Sequence, residues 1–137
     1  MTKLLLLDLD NTVRETISGA TFINDPFDQR LILGAAETIA RYKSQFWQII
    51  GISNQGGETC WEVSASGGEF FQKQDGEPGF RKPEPGMIQL AIARIADSLE
   101  EPVSECLYVG DREEDLLAAQ AAGIPFQWAH IWRGDRA

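Results

Sequence analysis

The chain has 137 residues, 43% of them hydrophobic and 24% charged, with a formal net charge of −9. That length supports one domain, residues 1–137, without room for a second; the mix is that of a soluble globular protein, and no stretch approaches the roughly 20 apolar residues of a membrane helix. A polyanion partner normally needs a basic face that releases counterions, so the acidic excess weighs against long nucleic acid, although Arg14, Arg30, Arg81, Lys82, Arg112 and Arg133 leave a local basic patch open.

Two cysteines, Cys60 in an expected loop and Cys106 in an expected buried strand, make no disulfide framework, and the single His130 leaves nothing for a Cys/His zinc site. The apolar run at the N-terminus is too short for a signal-peptide core and has an aspartate where cleavage would fall, which makes cytoplasm the expected compartment.

Leu4-Leu5-Leu6-Leu7 reads as a fully buried strand that ends on two carboxylates, Asp8 and Asp10, followed by the hydroxyl of Thr12. Glu15 to Ile23 carries β-rich residues on either side of Ser18-Gly19, the pattern of a short hairpin beside those acids. After Asn24-Asp25-Pro26, the spacing of Ile32, Ala35, Ala36 and Ile39 predicts a helix from about Leu31 to Ser44. Phe46 to Ser53 is a second apolar run, ending on Ser53-Asn54. Strand, helix, strand in that order implies a parallel pair whose ends point to one edge.

From Gln55 to Arg81 the chain is rich in Gly, Ser, Gln and Glu and holds no sustained period. It reads as loop, with a short helix near Glu58 to Val63 and a short strand around Glu69 to Phe71. A segment of that length inside a compact domain is usually functional or mobile. Ile88, Ala91, Ile92, Ile95 and Leu99 then form a helical stripe to about Glu100. Cys106 to Val109 is a third strand, ending in Gly110-Asp111. A helix from Arg112 to Ala122 has Glu113 and Glu114 in its first turn and stops at Gly123 and Pro125. Phe126 to Trp128 is a last short strand. The whole is an α/β chain with a doubly wound, mostly parallel, Rossmann-like sheet and helices on both faces.

Three parallel strands thus end in Asp8-x-Asp10, Ser53-Asn54 and Gly110-Asp111, while Lys82 stands before the helix between the second and third. Taken singly, each of the last three is an ordinary turn or cap. Four such clusters in this order on one sheet edge, where α/β folds bind their ligands, are not accounted for that way.

The motifs Asp8-Leu9-Asp10-Asn11-Thr12, Ser53-Asn54, Lys82-Pro83 and Gly110-Asp111 with Asp115 resemble the four signature motifs of the haloacid dehalogenase superfamily, most of whose members are magnesium-dependent phosphatases. Gly56-Gly57 and Arg81 to Met87 look more narrowly like the branch holding histidinol-phosphate, heptose-bisphosphate and polynucleotide 3′-phosphatases. Where heptose-bisphosphate members carry a Cys/His zinc loop, this chain has Phe80 and Arg81, so structural zinc is not implied. The resemblance implies Asp8 as nucleophile and Asp10 as general acid and base. It implies Mg²⁺ on Asp8, the Asp10 carbonyl and Asp111. Thr12, Ser53, Asn54 and Lys82 are then expected to bind the substrate, with backbone N–H groups of Leu9, Asp10 and Asn54 completing the cradle. Asp115 is a supporting residue behind the metal, a partner of Lys82, or simply part of a helix salt bridge.

Many relatives insert a cap after the first motif or between the second and third. Here those spans, Val13 to Arg30 and Gln55 to Arg81, are too short for one, and an open cleft is expected. Trp61, Phe70 and Phe71 beside it are stacking platforms or packing aromatics. Three readings follow: a Mg²⁺-dependent phosphomonoesterase acting on a small metabolite, which the charge favours; a polynucleotide 3′-phosphatase; and a non-catalytic phosphoryl-binding module, against which the presence of every motif residue argues. The oligomeric state is not legible.

Overall fold

The computed structural model describes residues 2–20, 27–52 and 85–134, together with the backbone of residues 60–63 and 70–73. Its elements run β1 (Thr2–Asp8), β2 (Arg14–Glu15), β3 (Arg30–Leu31), α1 (Ala35–Ser44), β4 (Gln48–Ile52), β5 (Cys60–Val63), β6 (Phe70–Lys73), α2 (Gly86–Leu99), β7 (Val103–Gly110), α3 (Glu113–Ala122), β8 (Phe126–Trp128) and α4 (Ala129–Trp132). Four strands form a parallel sheet in the order β4-β1-β7-β8, with β2 and β3 as one small antiparallel pair and β5 and β6 as another.

The leucine run occupies the sheet's interior because it is apolar on both faces. Leu4 and Leu6 pack with Ile50, Ile52, Ile88, Ala91 and Tyr108 under α2 and α3, whereas Leu5 and Leu7 pack with Ile49, Val109, Ala35 and Trp132 under α1 and α4. All four leucines are essentially inaccessible to solvent. A strand flanked on both edges and covered on both faces needs no polar side chain until it reaches its end. From β1 the chain crosses by α1 on one face to β4; from β7 it crosses by α3 on the other face to β8. The winding therefore reverses between β1 and β7, and the crevice at their carboxyl ends is the switch point where such sheets bind ligands.

Several local expectations are corrected. The segment after β1 pairs Arg14 with Leu31 and Glu15 with Arg30, not across Ser18-Gly19. Instead, the backbone N–H and the hydroxyl of Ser18 donate to Asp28 at 2.8 and 2.6 Å, closing a longer connection and holding the Asp28 carboxyl below its ordinary range. Because Arg30–Leu31 is spent on β3, α1 starts at Ala35, after Gly34 has turned the backbone with a φ of 89°. Phe46 is no part of a strand: it closes α1 in the left-handed region at φ 67° and is 85% exposed, so β4 begins only at Gln48. Cys60 to Val63, expected as loop and short helix, is strand β5, paired with β6 in the register Cys60 to Lys73. The short strand expected near Glu69 to Phe71 is β6, displaced by a residue or two. The helix α4 was not legible as such. The rest of the long Gln55 to Arg81 segment lies outside the described residues, as do the side chains of Trp61, Phe70 and Phe71. Among the described residues, no helix is long and apolar enough to cross a membrane.

Truncating the central strand tests this packing: Leu6→Ala should cost about 2–5 kcal/mol in chemical denaturation. A second check concerns Cys106, whose thiol burial pushes up to about 11 from 9.0. The folded state thus favours the neutral thiol, so this group's contribution to stability is complete below pH 9 and fades as the pH rises from 9 to 11. Mass mapping after alkylation of the native protein at pH 8 should find Cys106 largely unmodified.

Candidate active site

The site begins where β1 stops being apolar. Asp8 is paired across the sheet with Ile52 of β4, and the preceding Leu7 with Val109 of β7, so the Asp8 carboxylate emerges between two strand ends. Beyond it the chain winds around a single acceptor: the N–H groups of Thr12, Val13 and Arg14 all donate to the Leu9 carbonyl, at 3.3, 2.9 and 3.0 Å. Asn11, at φ 63°, supplies the left-handed step this turn requires, a conformation asparagine tolerates better than most residues. The turn brings Thr12 back under Asp8. Its hydroxyl donates to Asp8 Oδ2 at 3.3 Å, and Thr12 is fully buried. Thr12, expected to bind substrate, is turned toward the Asp8 carboxylate.

Asp10 leaves the same turn on its open side, where Arg14 Nε donates to Asp10 Oδ1 at 2.8 Å. Its carboxylate stands outside the group of acids around Asp8, whereas Asp115, expected only in a supporting place, is inside it. Asp8, Asp111 and Asp115 each have a carboxylate oxygen within 4.8 Å of those of the other two.

Asp111 and Asp115 reach that position through β7 and α3. Asp115 is 2% exposed; Tyr108 OH donates to its Oδ1 at 2.8 Å, and the N–H groups of Asp111 and Arg112 donate to its Oδ2 at 3.2 Å each. The last of these is a helix N-cap contact made from the third residue of α3, one half of a capping box. So close an approach depends on Gly110, because a Cβ there would lie 2.4 Å from Asp115 Cβ and Cγ. Ser53, Asn54 and Lys82 lie outside the described residues.

The donor set has a clear electrostatic meaning. At this spacing, and with an effective dielectric near 20, two carboxylates repel by roughly 3 kcal/mol. Asp111 Oδ1 is buried and receives no hydrogen bond, a state that ordinarily carries a cost. Three hard oxygen donors with one left unsatisfied match what a divalent cation such as Mg²⁺ takes. Tyr108, which holds Asp115, was missed in the sequence because a tyrosine in an apolar strand reads as core; Arg14, singled out there for a basic patch, is the partner of Asp10. Gly110→Ala should displace α3 from β7, lowering stability by about 1–3 kcal/mol through overpacking and weakening divalent-cation binding in the same protein by calorimetry.

Comparison with known proteins agrees with this arrangement. The HAD-hydrolase-like family model matches residues 79–128. Phosphoglycolate phosphatases from two strains of Xanthomonas campestris pv. campestris are each 49% identical over 52 residues, 38% of this chain and 21% of theirs, so the match spans about a fifth of the length of these relatives. In structure, the chain is similar to a D,D-heptose 1,7-bisphosphate phosphatase from B. bronchiseptica, solved with magnesium and phosphate, at a TM-score of 0.64 and 25% identity over 91% of this chain and 79% of that one. An uncharacterized protein from Listeria monocytogenes serotype 4b shares the fold at a TM-score of 0.60 and 18% identity, over 93% and 78%. With a reversed parallel sheet, acids at its switch point and these likenesses in both sequence and fold, the chain resembles the haloacid dehalogenase phosphatases, the heptose-bisphosphate phosphatase branch among them.

Proposed function

We propose that the chain is a Mg²⁺-dependent phosphomonoesterase that works through an aspartyl-phosphate on a small phosphorylated metabolite, as a single capless domain in the cytoplasm. The observation that carries this reading is the convergence of Asp8, Asp111 and Asp115, with a buried Asp111 oxygen left without a hydrogen bond, at the end of the strand that also delivers Asp10.

In this mechanism an Asp8 carboxylate oxygen attacks phosphorus as the bond to the ester oxygen breaks, and Asp10 hands its proton to the departing oxygen. Asp10 then takes a proton from water as that water attacks the phosphorus of the aspartyl-phosphate, releasing inorganic phosphate and restoring Asp8. Thr12 keeps Asp8 turned toward the crevice through its hydroxyl. Asp111 and Asp8 would hold the metal, with the Asp10 carbonyl as a further ligand, while Asp115, whose carboxylate lies beside theirs, fixes the Asp111 backbone. When bound, Mg²⁺ offsets the repulsion between the Asp8 carboxylate and the phosphate dianion. Ser53, Asn54 and Lys82 take the phosphoryl oxygens, Lys82 as a point charge.

Charge supports the small substrate over a polynucleotide 3′-phosphate. Of the arginines named as candidates for a basic groove, Arg14 is turned on Asp10, Arg30 on Glu15, and Arg133 on the carbonyls of Asn11 and Thr12. A phosphoryl-binding module without turnover would have no need of Asp10.

Mg²⁺ should raise the melting temperature of the wild type and not of Asp111→Ala. Chelator-treated protein hydrolysing an aryl phosphate as fast as the Mg²⁺ form would sink the metal's role. Asp8→Asn should lose turnover while still binding phosphate. In a single turnover in ¹⁸O-water with enzyme in excess, label should enter the released phosphate; label in the Asp8 carboxylate would mean attack at carbon and a different reaction.

A further inference from the structure

The turn that carries Asp10 is held from outside by a residue more than a hundred positions away. Arg133 Nη1 donates to the Asn11 carbonyl at 3.2 Å and to the Thr12 carbonyl at 2.9 Å. Inside this turn the N–H groups of Thr12, Val13 and Arg14 are gathered on the Leu9 carbonyl and that of Asn11 on the Arg14 carbonyl, which leaves the Asn11 and Thr12 carbonyls to an external donor. Arg133 is itself anchored. Its backbone N–H closes α4 on the Ala129 carbonyl at 2.9 Å, and the flanking Trp132 and the start of that helix are buried against Leu5, Leu7 and Val13. Gly34, just before α1, lies so close that a Cβ there would sit 2.7 Å from the Arg133 carbonyl. Packing thus sets where the guanidinium stands, and the guanidinium sets where the turn stands.

We infer that Arg133 is a positioning residue for the phosphatase reaction: it latches the Asn11–Thr12 peptide so that Asp10 meets the leaving oxygen. This inference rests on the functional reading above. Asn11 tolerates its left-handed φ of 63° better than most residues, and two hydrogen bonds from one cation to the Asn11 and Thr12 carbonyls brace the turn in that conformation. Charge-assisted bonds of this kind are roughly twice as strong as neutral ones. Arg133 needs no contact with substrate to act, which separates it from Lys82, whose expected duty is to bind the phosphoryl group.

The test compares two esters with one phosphoryl group, an alkyl phosphate, whose leaving oxygen needs a proton, and a nitrophenyl phosphate, whose leaving group departs without one. Misplacing a catalytic group by about 1 Å can cost on the order of 10²-fold. Arg133→Met keeps the apolar stem and removes the donors; its kcat on the alkyl ester should fall roughly 10- to 100-fold and its kcat on the aryl ester about 2-fold or less, with KM for both little changed. Free guanidinium ion should restore part of the alkyl activity, and Arg133→Lys should lie between wild type and Arg133→Met. Gly34→Ala, which pushes on the Arg133 backbone without altering any charge, should reproduce the same skew. Equal loss on both esters, or a KM rise with kcat preserved, would overturn the latch and assign Arg133 to general stability or to substrate binding. Wild-type protein that hydrolyses neither ester with Mg²⁺ would overturn the phosphatase reading, and the catalytic role of Arg133 with it.

Discussion

Asp8, Asp111 and Asp115 are held with oxygens within 4.8 Å of one another, and much of the described structure serves to keep three like charges at that spacing. Two of them accept hydrogen bonds from buried side chains. Asp8 sits at the end of a strand buried on both faces and takes the hydroxyl of a fully buried threonine; Asp115 takes a buried tyrosine hydroxyl and two backbone N–H groups of its own helix start. Donors of this kind orient the carboxylates and satisfy their oxygens, so that the group is held in place by hydrogen bonds. The side chain with an unmet need, Asp111 Oδ1, points to what completes the group.

The two polar systems at the crevice are built differently. The β7 to α3 junction is stiff and compact, because Gly110 lets the helix press on the strand and Asp115 closes the helix's own first turn. The turn after β1 is wound on one carbonyl, contains a left-handed asparagine, and is steadied by Arg14 from within and Arg133 from without. The first junction carries the acids of the cluster, and the second carries Asp10, which in the proposed reaction serves first a leaving group and then a water.

Where the sequence reading failed, it failed at junctions. The periodicity of Ile32, Ala35, Ala36 and Ile39 is a genuine helical stripe, but the pairing of Arg30 and Leu31 with Arg14 and Glu15 competes for its first residues and wins, because those partners are distant in sequence and no local pattern announces them. Phe46 looks like the start of a strand and instead caps a helix in a conformation that aromatic residues seldom adopt.

The parallel sheet, its two covered faces and the placement of Asp8, Asp10 and Asp111 at one edge were legible from the chain alone, because apolar runs that end on charge can be buried in only one way and strand–helix–strand order dictates where their ends meet. The tertiary structure decided which acids gather, bringing Asp115 in and turning Asp10 toward Arg14. It also enlisted Tyr108, Gly110 and Arg133, whose duties depend on atoms brought close by folding rather than on neighbours in sequence. Hydrophobic pattern is a local property of the chain and survives being read one residue at a time; hydrogen bonds between elements are not, and exist only once the packing has set the distances.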